Sequence, residues 1–432
     1  MFAALLLIVL AQAGLVASVG AQGGAAGGDG IVDADPGPHG QGEARHPLLI
    51  KSHAGQRGAE PQIASAIPGG YTPAQIQAYL GLSGDGSGQT IAIVDAFDHP
   101  TVEDDLNVFS AQFGLPLTCG SLGANPSDCF RFTKATPQGR PRVDGGWALE
   151  VALDVEWAHA VAPKAAILLV EARTTGMFSL LGAIDYAARQ GASVISNSWG
   201  TNEFLFERIF DSHCVLSSAV CVFSTGDYGN PGLYPAYNPS VIAVGGTTLQ
   251  LSANGTVLGE TAWSGSGGGI STREPRPAFQ DASHDNRTRG IPDVSYDADP
   301  NTGFAVYSSV AFQAQSGWFV VGGTSAGAPQ WSAIVAVTDQ LRAASGKGRL
   351  NSTAFASGNA LYGLTSGLED ITQGANGPCG SFCQAGAGYD FVTGLGSPRA
   401  GIDLALAGVA SSVVPASAPI SAGVARGSAG RG

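Results

Sequence analysis

A serine in the run Gly322-Gly-Thr-Ser-Ala-Gly-Ala-Pro329, followed by an apolar stretch, is the first candidate for chemistry. At the start of a helix a serine has unpaired backbone N–H groups and the positive end of the helix dipole beside it. Both can hold the oxyanion that forms on an attacked carbonyl. Pro329 fits a first helical turn, where its missing N–H costs little. The glycines before Ser325 let a substrate backbone approach. In the alternative reading Ser325 only caps the helix.

A serine hydroxyl needs a base. Of the seven histidines, His39, His46 and His53 fall in a Gly- and Pro-rich N-terminal stretch. His99 follows Asp95 in a loop, and His159 sits on a strongly apolar helix, where packing is its expected role. A Ser-His-Asp arrangement is poorly supported. A carboxylate can serve as base at acid pH, and Glu150-Val-Ala-Leu-Asp154 offers two on one helix face. Close carboxyls share a proton and their pKa values split. The competing reading is a solvated polar stripe completed by Glu156.

Asp227, in Ser224-Thr-Gly-Asp-Tyr-Gly229, follows an apolar strand. Its role is either a turn cap or a protonated acid that donates to an oxyanion. Near the C-terminus, Asp370-Ile371 and Ala385-Gly-Ala-Gly-Tyr-Asp390 combine two carboxylates with glycine carbonyls, which suits a hard cation such as Ca²⁺.

These residues need a scaffold, and the hydropathy pattern supplies one. Strands are expected over 90–95, 166–171, 193–197, 220–224 and 241–244. Helices are expected over 101–113, 147–162 and 178–189, and from Ser325 to about 343. Apolar strands alternating with helices predict an α/β fold with a mostly parallel sheet covered on both faces. In such sheets the working site lies at the carboxyl ends of the strands.

Composition narrows the class. In 432 residues, 44% hydrophobic and 13% charged, there is material for a large core. The net charge of −13 and the lack of a Lys/Arg cluster argue against nucleic acid as partner. The six cysteines form three local pairs, 119/129, 214/221 and 379/383, which predicts disulfides and an oxidising compartment. Free thiols are the alternative, since zinc spacing is absent. Residues 1–21 are apolar and end in small residues, as in a signal peptide, with a retained membrane anchor as the competing reading. No later segment is long and apolar enough to span a bilayer. Residues 22–68 are expected to be a flexible pro-region or linker. Residues 410–432 are expected to be a disordered tail, leaving 69–409 as the working domain.

Taken together, the segments IAIVDAFDHP, EVALDVEWAHAVAPKAAILLVEA, SNSWG, FSTGDYG, GGTSAGAP and GYDFVTGLGSP resemble, in order, the sedolisin family of serine-carboxyl peptidases. The resemblance covers about residues 69–402. It implies a subtilisin-like three-layer α/β fold and a secreted, acid-active, monomeric endopeptidase acting on proteins or peptides, without stable membrane association. It further implies Ser325 as nucleophile, Glu150 as base, Asp154 as its orienting partner and Asp227 as oxyanion donor. One structural Ca²⁺ would be held by Asp370, Asp390 and the carbonyls of Ile371, Gly386 and Gly388. Asp95 is given a structural role. The family's folded prodomain is far longer than residues 22–68. A silent binding relative would lack one of the four site residues, and all four are present. A histidine-dependent, subtilisin-like enzyme is the other rival, told apart by activity at neutral pH.

Overall fold

The computed structural model describes residues 30–37, 39–52, 63–356 and 360–409. The expected signal peptide and C-terminal tail lie outside these residues. The described chain opens on two short strands, Ile31–Asp33 (β1) and Leu49–Lys51 (β2), and a helix, Pro73–Leu80 (α1). A regular alternation follows: Thr90–Ala96 (β3), Val102–Phe113 (α2), Phe132–Ala135 (β4), Gly145–Val161 (α3), Ala166–Ala172 (β5), Met177–Arg189 (α4) and Val194–Asn197 (β6). Val220–Ser224 (β7) and Val241–Leu251 (β8) continue the sheet. Six further strands come next: Val257–Ala262 (β9), Gly269–Pro275 (β10), Thr288–Ile291 (β11), Val294–Asp297 (β12), Phe304–Phe312 (β13) and Gln315–Gly322 (β14). A single turn, Thr324–Ala326, then leads into the long helix Gly327–Ala344 (α5).

The central sheet runs β12-β8-β7-β6-β3-β5-β4 with every pairing parallel, and β9 adds antiparallel to β8. Each inner strand is apolar on both faces, and the two sets of side chains enter separate cores. Ile91 and Ile93 of β3, with Ile167 and Leu169 of β5, pack on the α3 and α5 side. Ala92, Val94, Leu168 and Val170 pack on the α4 side. This period of two, with both faces covered, is why these strands read as continuous hydrophobic runs. The result is the expected three-layer α/β fold.

α3 is buried along nearly its whole length, from Gly146 to Val161. Asp144 caps it by accepting from the backbone N–H of Trp147. Three disulfides form between the pairs read from sequence: Cys119–Cys129, Cys214–Cys221 and Cys379–Cys383. No helix among the described residues is long and apolar enough to cross a membrane.

One expectation is corrected. Residues 30–52 are not a free linker. β1 pairs with β2, and β2 pairs with β14, making a four-stranded antiparallel sheet β1-β2-β14-β13. Ala44, His46, Leu48 and Ile50 are all buried. The physical reason is edge pairing: β14 offers unpaired backbone groups, and Leu49 and Ile50 satisfy them opposite Gly322 and Val321.

Candidate active site

Ser325 lies in the turn between β14 and α5 and is fully buried. The sharp connection depends on Gly323, whose φ of 108° is open to glycine and strained for other residues. A Cβ there would also lie 2.2 Å from the Pro47 carbonyl oxygen and 2.3 Å from Asp227 Oδ2. One point therefore has the nucleophile's approach, the candidate oxyanion donor and a peptide carbonyl crowded around it.

Asp227 stands three residues beyond the carboxyl end of β7. Its Oδ1 accepts from the Thr324 backbone N–H at 2.7 Å and from the Thr324 hydroxyl at 2.9 Å. Its Oδ2 has no hydrogen-bond partner among the described residues. Burial raises the Asp227 carboxyl well above the usual range; the bonds from Thr324 oppose this, and the charges of Glu150 and Asp33 add to it. A neutral, proton-bearing Asp227 with one free oxygen is equipped to donate.

Glu150 and Asp154 lie on α3, which packs against α5 and the Ser325 turn. Both are fully buried, so the solvated-stripe reading fails; Glu156 is buried too, accepting from the Tyr307 N–H at 3.1 Å. Asp154 Oδ1 accepts from the Ser198 hydroxyl at 2.9 Å, and that hydroxyl also lies 3.3 Å from the Ser325 carbonyl oxygen. Ser198 thus ties the carboxyl pair to the nucleophile's backbone. Burial pushes Asp154 well up, and the charges of Asp95 and Glu150 push it further.

Two residues stand closer to the site than the sequence reading put them. Asp95, given a structural role there, lies at the end of β3 and is fully buried with neither carboxyl oxygen partnered among the described residues. Burial first, then the charges of Glu150 and Glu171, hold it well above the ordinary value. Asp95 in turn raises Asp154, and the charge of Glu150 raises both. The position of Asp95 at a strand's carboxyl end was the available signal. His46 is the other: its Nδ1 lies 3.2 Å from Glu150 Oε2, and its ring stands edge-on to Trp147 at 4.8 Å. Burial lowers its pKa, but the contact with Glu150 and the charges of Glu150, Asp35 and Asp144 outweigh this and leave it raised. No sequence signal near His46 points to a partner so far along the chain.

Ser325 Oγ has no hydrogen-bond partner among the described residues, so His46 does not form a Ser-His pair. The remaining histidines of the working domain are elsewhere. His99 Nε2 is 3.4 Å from Asp105 Oδ2, and burial lowers its pKa to about 4. His159 stacks on Phe130 at 3.9 Å.

Asp370, Ile371, Gly386, Gly388 and Asp390 are drawn into one loop cluster. The Gly388 N–H donates to Asp370 Oδ2 at 2.7 Å, and the Gly386 N–H donates to Asp390 Oδ2 at 2.9 Å. The Thr393 hydroxyl spans from Asp390 to the Ile371 carbonyl. Two carboxylates with backbone carbonyls in the same loop cluster are oxygen donors of the kind calcium takes, so the residue types fit that ion, although the groups seen turned to the carboxylates are the Gly386 and Gly388 N–H donors.

This arrangement defines a class: a three-layer α/β protein with a buried serine at the start of its long helix α5 and buried carboxyls on the neighbouring α3. The chain belongs to the subtilase family, whose model matches residues 119–359. It is 33% identical to kumamolisin from Bacillus sp. (strain MN-32), over 78% of this chain and 64% of kumamolisin. It is 27% identical to sedolisin from Pseudomonas sp. (strain 101), over 82% of this chain and 63% of sedolisin. The chain thus spans just under two thirds of these relatives. Tripeptidyl-peptidase 1 of Homo sapiens is 30% identical over 42% of this chain and 34% of its own length. The solved structure of Pseudomonas sedolisin, a serine-carboxyl proteinase complexed with two molecules of pseudo-iodotyrostatin, matches with a TM-score of 0.64 at 25% identity. That match covers 77% of this chain and 96% of that one. The motif resemblance to sedolisins is borne out.

Proposed function

We propose that this chain is a secreted, acid-active serine-carboxyl endopeptidase. The observation that carries the reading is the burial of Ser325, Glu150, Asp154 and Asp227 near one turn, with no histidine bonded to the serine among the described residues. Ser325 Oγ forms a bond to a peptide carbonyl carbon while its proton passes to Glu150. Asp154 orients Glu150 across one helical turn. The oxyanion takes hydrogen bonds from the Ser325 N–H and the protonated Asp227. The C–N bond then breaks as Glu150 returns the proton to the leaving amine, and water hydrolyses the acyl-enzyme by the same steps. A carboxylate base works near pH ~4, where an imidazole would already be protonated.

Calcium would be held by Asp370, Asp390 and the carbonyls of Ile371, Gly386 and Gly388, and when bound it would supply structural cross-linking and no step of the reaction. The same loop is tied to the 263–270 segment, since the Ser266 hydroxyl donates to the Val392 carbonyl. Secretion is supported by the three disulfides and the expected leader. We take proteins or peptides as substrates and the protein as a monomer.

The test is the pH profile of protein cleavage for the chain and for Glu150→Gln. Activity confined to acid pH and lowered about 10²–10⁴-fold in the variant is expected for loss of a general base. Neutral-pH cleavage that survives Glu150→Gln would favour the histidine-dependent rival.

A further inference from the structure

Asp227 sits on a turn held largely by glycine backbone. After β7 the chain runs from Thr225 to Gly232 against the stretch Ser264-Gly-Ser-Gly-Gly-Gly269. The Gly267 N–H donates to the Gly226 carbonyl at 2.7 Å, the Gly229 N–H to the Gly265 carbonyl at 2.9 Å, and the Gly232 N–H to the Gly268 carbonyl at 2.9 Å. The two backbones leave no room for side chains between them: a Cβ on Gly267 would stand 2.1 Å from the Thr225 carbonyl oxygen. Glycine permits this approach, but it has the most conformational freedom to lose on folding. The pair of layers therefore needs fixing from outside.

On the serine side Thr324 does this, with its hydroxyl placed to accept from the Gly226 N–H at 2.9 Å. On the far side the residue is Asn376, which is 3% exposed. Its carbonyl accepts from the Asn230 N–H at 3.2 Å, and its Nδ2 donates to the Ser266 carbonyl at 2.8 Å. One residue thus holds an atom of each layer. Its Oδ1 has no hydrogen-bond partner among the described residues, so the bond to Ser266 orients the side chain. A Cβ on Gly229 would lie 2.3 Å from the Asn376 carbonyl oxygen, which shows how closely this segment backs the turn. Asn376 is itself well anchored. Its N–H donates to the Cys383 carbonyl at 3.0 Å, in the hairpin closed by Cys379–Cys383, and the Ala262 N–H donates to the Gln373 carbonyl at 2.7 Å. Asp227 lies between the two anchors, after Gly226 and before Asn230. Tyr228 turns outward from the same stretch, 47% exposed, with its hydroxyl on Asp33 Oδ2.

We propose that Asn376 is a positioning residue for this reaction: by joining Asn230 to Ser266 it fixes the far side of the Asp227 turn, and so the place where the oxyanion donor stands. The inference rests on the peptidase reading for the role of Asp227. A hydrogen bond weakens steeply once its distance and angle leave their optimum, so a donor that shifts with its turn gives less to the transition state. Substrate binding elsewhere in the cleft is touched far less.

The test is a double-mutant cycle on the full chain, at the acid pH where it cleaves protein. Asn376→Leu keeps the branched shape and removes the amide that holds Ser266. In the parent it should lower kcat about tenfold with KM little changed. In the Asp227→Ala background no donor is left to misplace, and the same change should lower kcat by less than about twofold. An equal loss in both backgrounds, or a rise in KM alone, would overturn the inference and leave Asn376 a packing residue. Should Asn376→Leu not fold, hydrogen exchange on the parent decides: protection at the Gly229 and Asn230 amides like that of β7 supports the fixed turn, and loop-like exchange at both overturns it. Failure of the peptidase reading would show separately, as an Asp227→Ala protein whose kcat equals the parent's.

Discussion

Thr324 gives both its backbone N–H and its hydroxyl to a single oxygen of Asp227. The residue before Ser325 thereby fixes the carboxyl and leaves its other oxygen without a partner among the described residues, close to Gly323. The Thr324 hydroxyl is placed in turn to accept from the Gly226 N–H at 2.9 Å, which locks the turn after β7 to the turn before α5. Thr324→Val keeps the shape and removes the hydroxyl. We expect kcat to fall about tenfold, less than the roughly 10²–10³-fold for loss of a direct oxyanion donor because the hydroxyl acts through Asp227, with KM little changed. Thr324→Ser should restore it. Steady-state kinetics on the three proteins checks this, and a change in KM alone would place Thr324 in substrate binding instead.

Asp227 should set the alkaline limb of activity. Its role requires a proton, which burial helps it keep. Asp227→Asn retains a neutral donor that cannot ionise. The variant should keep measurable activity and lose the part of the alkaline fall that belongs to this group, whereas Asp227→Ala should lose activity by about 10²–10³-fold. The pH dependence of kcat for both variants distinguishes a donor from a structural turn cap, for which Asn and Ala would differ little in pH behaviour.

Asp95 predicts a pH-dependent gain in stability. Its carboxyl is held well above the ordinary value in the folded protein, so it keeps its proton while an unfolded chain ionises at about pH 3.9. Below that pH both states are protonated and nothing is lost. As pH rises above it, the unfolded state is increasingly favoured until the folded carboxyl ionises too. Asp95→Asn mimics the protonated form without this cost. Its melting temperature should exceed the parent's by more at pH 7 than at pH 4. The opposite ordering would mean that Asp95 is ionised in the folded state.

The same sign holds for a second group of carboxyls, Glu207, Asp211 and Glu274. Burial, the leading cause in each, lifts Glu207 and Glu274 to about 8 and Asp211 to about 6. Both Glu274 oxygens lack hydrogen-bond partners among the described residues, although Arg208 Nε lies 3.7 Å from one. Global stability should therefore decline between about pH 4 and pH 8 as the unfolded chain releases protons that the folded one retains. Glu274→Gln should flatten the upper part of that decline. Melting temperatures across the range for parent and variant test it.

The candidate site was legible because its signals are local. Glu150 and Asp154 are one helical turn apart on an otherwise apolar helix, and Ser325 sits in a glycine-rich approach to another. The strands β3, β5, β7 and β8 announce themselves by unbroken apolar runs. Residues 30–52 were illegible for the converse reason. β1 and β2 have three residues each, too few for a period to show, and they are strands only because β14 offers an edge. The contact of His46 with Glu150 and the pairing of Arg45 with Gly200 join residues over a hundred positions apart. Asp95 was seen but assigned to structure, since its influence on Asp154 depends on how α3 crosses the end of β3.

Calcium removal should weaken the 263–270 segment as well as the loop that would hold the ion. Asp390 organises its own turn by accepting from the Val392 and Thr393 N–H groups. From there the chain reaches the sheet, with the Leu395 N–H on the Asp293 carbonyl and the Ser295 N–H on the Gly396 carbonyl. It also reaches the 263–270 segment through Ser266 and Val392, and through the Asn376 amide on the Ser266 carbonyl. A chelator should lower the melting temperature of the parent and, near it, reduce activity through loss of folded enzyme. Asp390→Asn should melt lower from the outset and respond weakly to chelator, because a ligand that binds only the folded state stabilises it in proportion to occupancy. Restoring Ca²⁺ should recover the parent and leave the variant unchanged. A melting temperature indifferent to chelator in the parent would remove calcium from the account of this loop, leaving Asp370 and Asp390 as turn caps for Gly388 and Gly386.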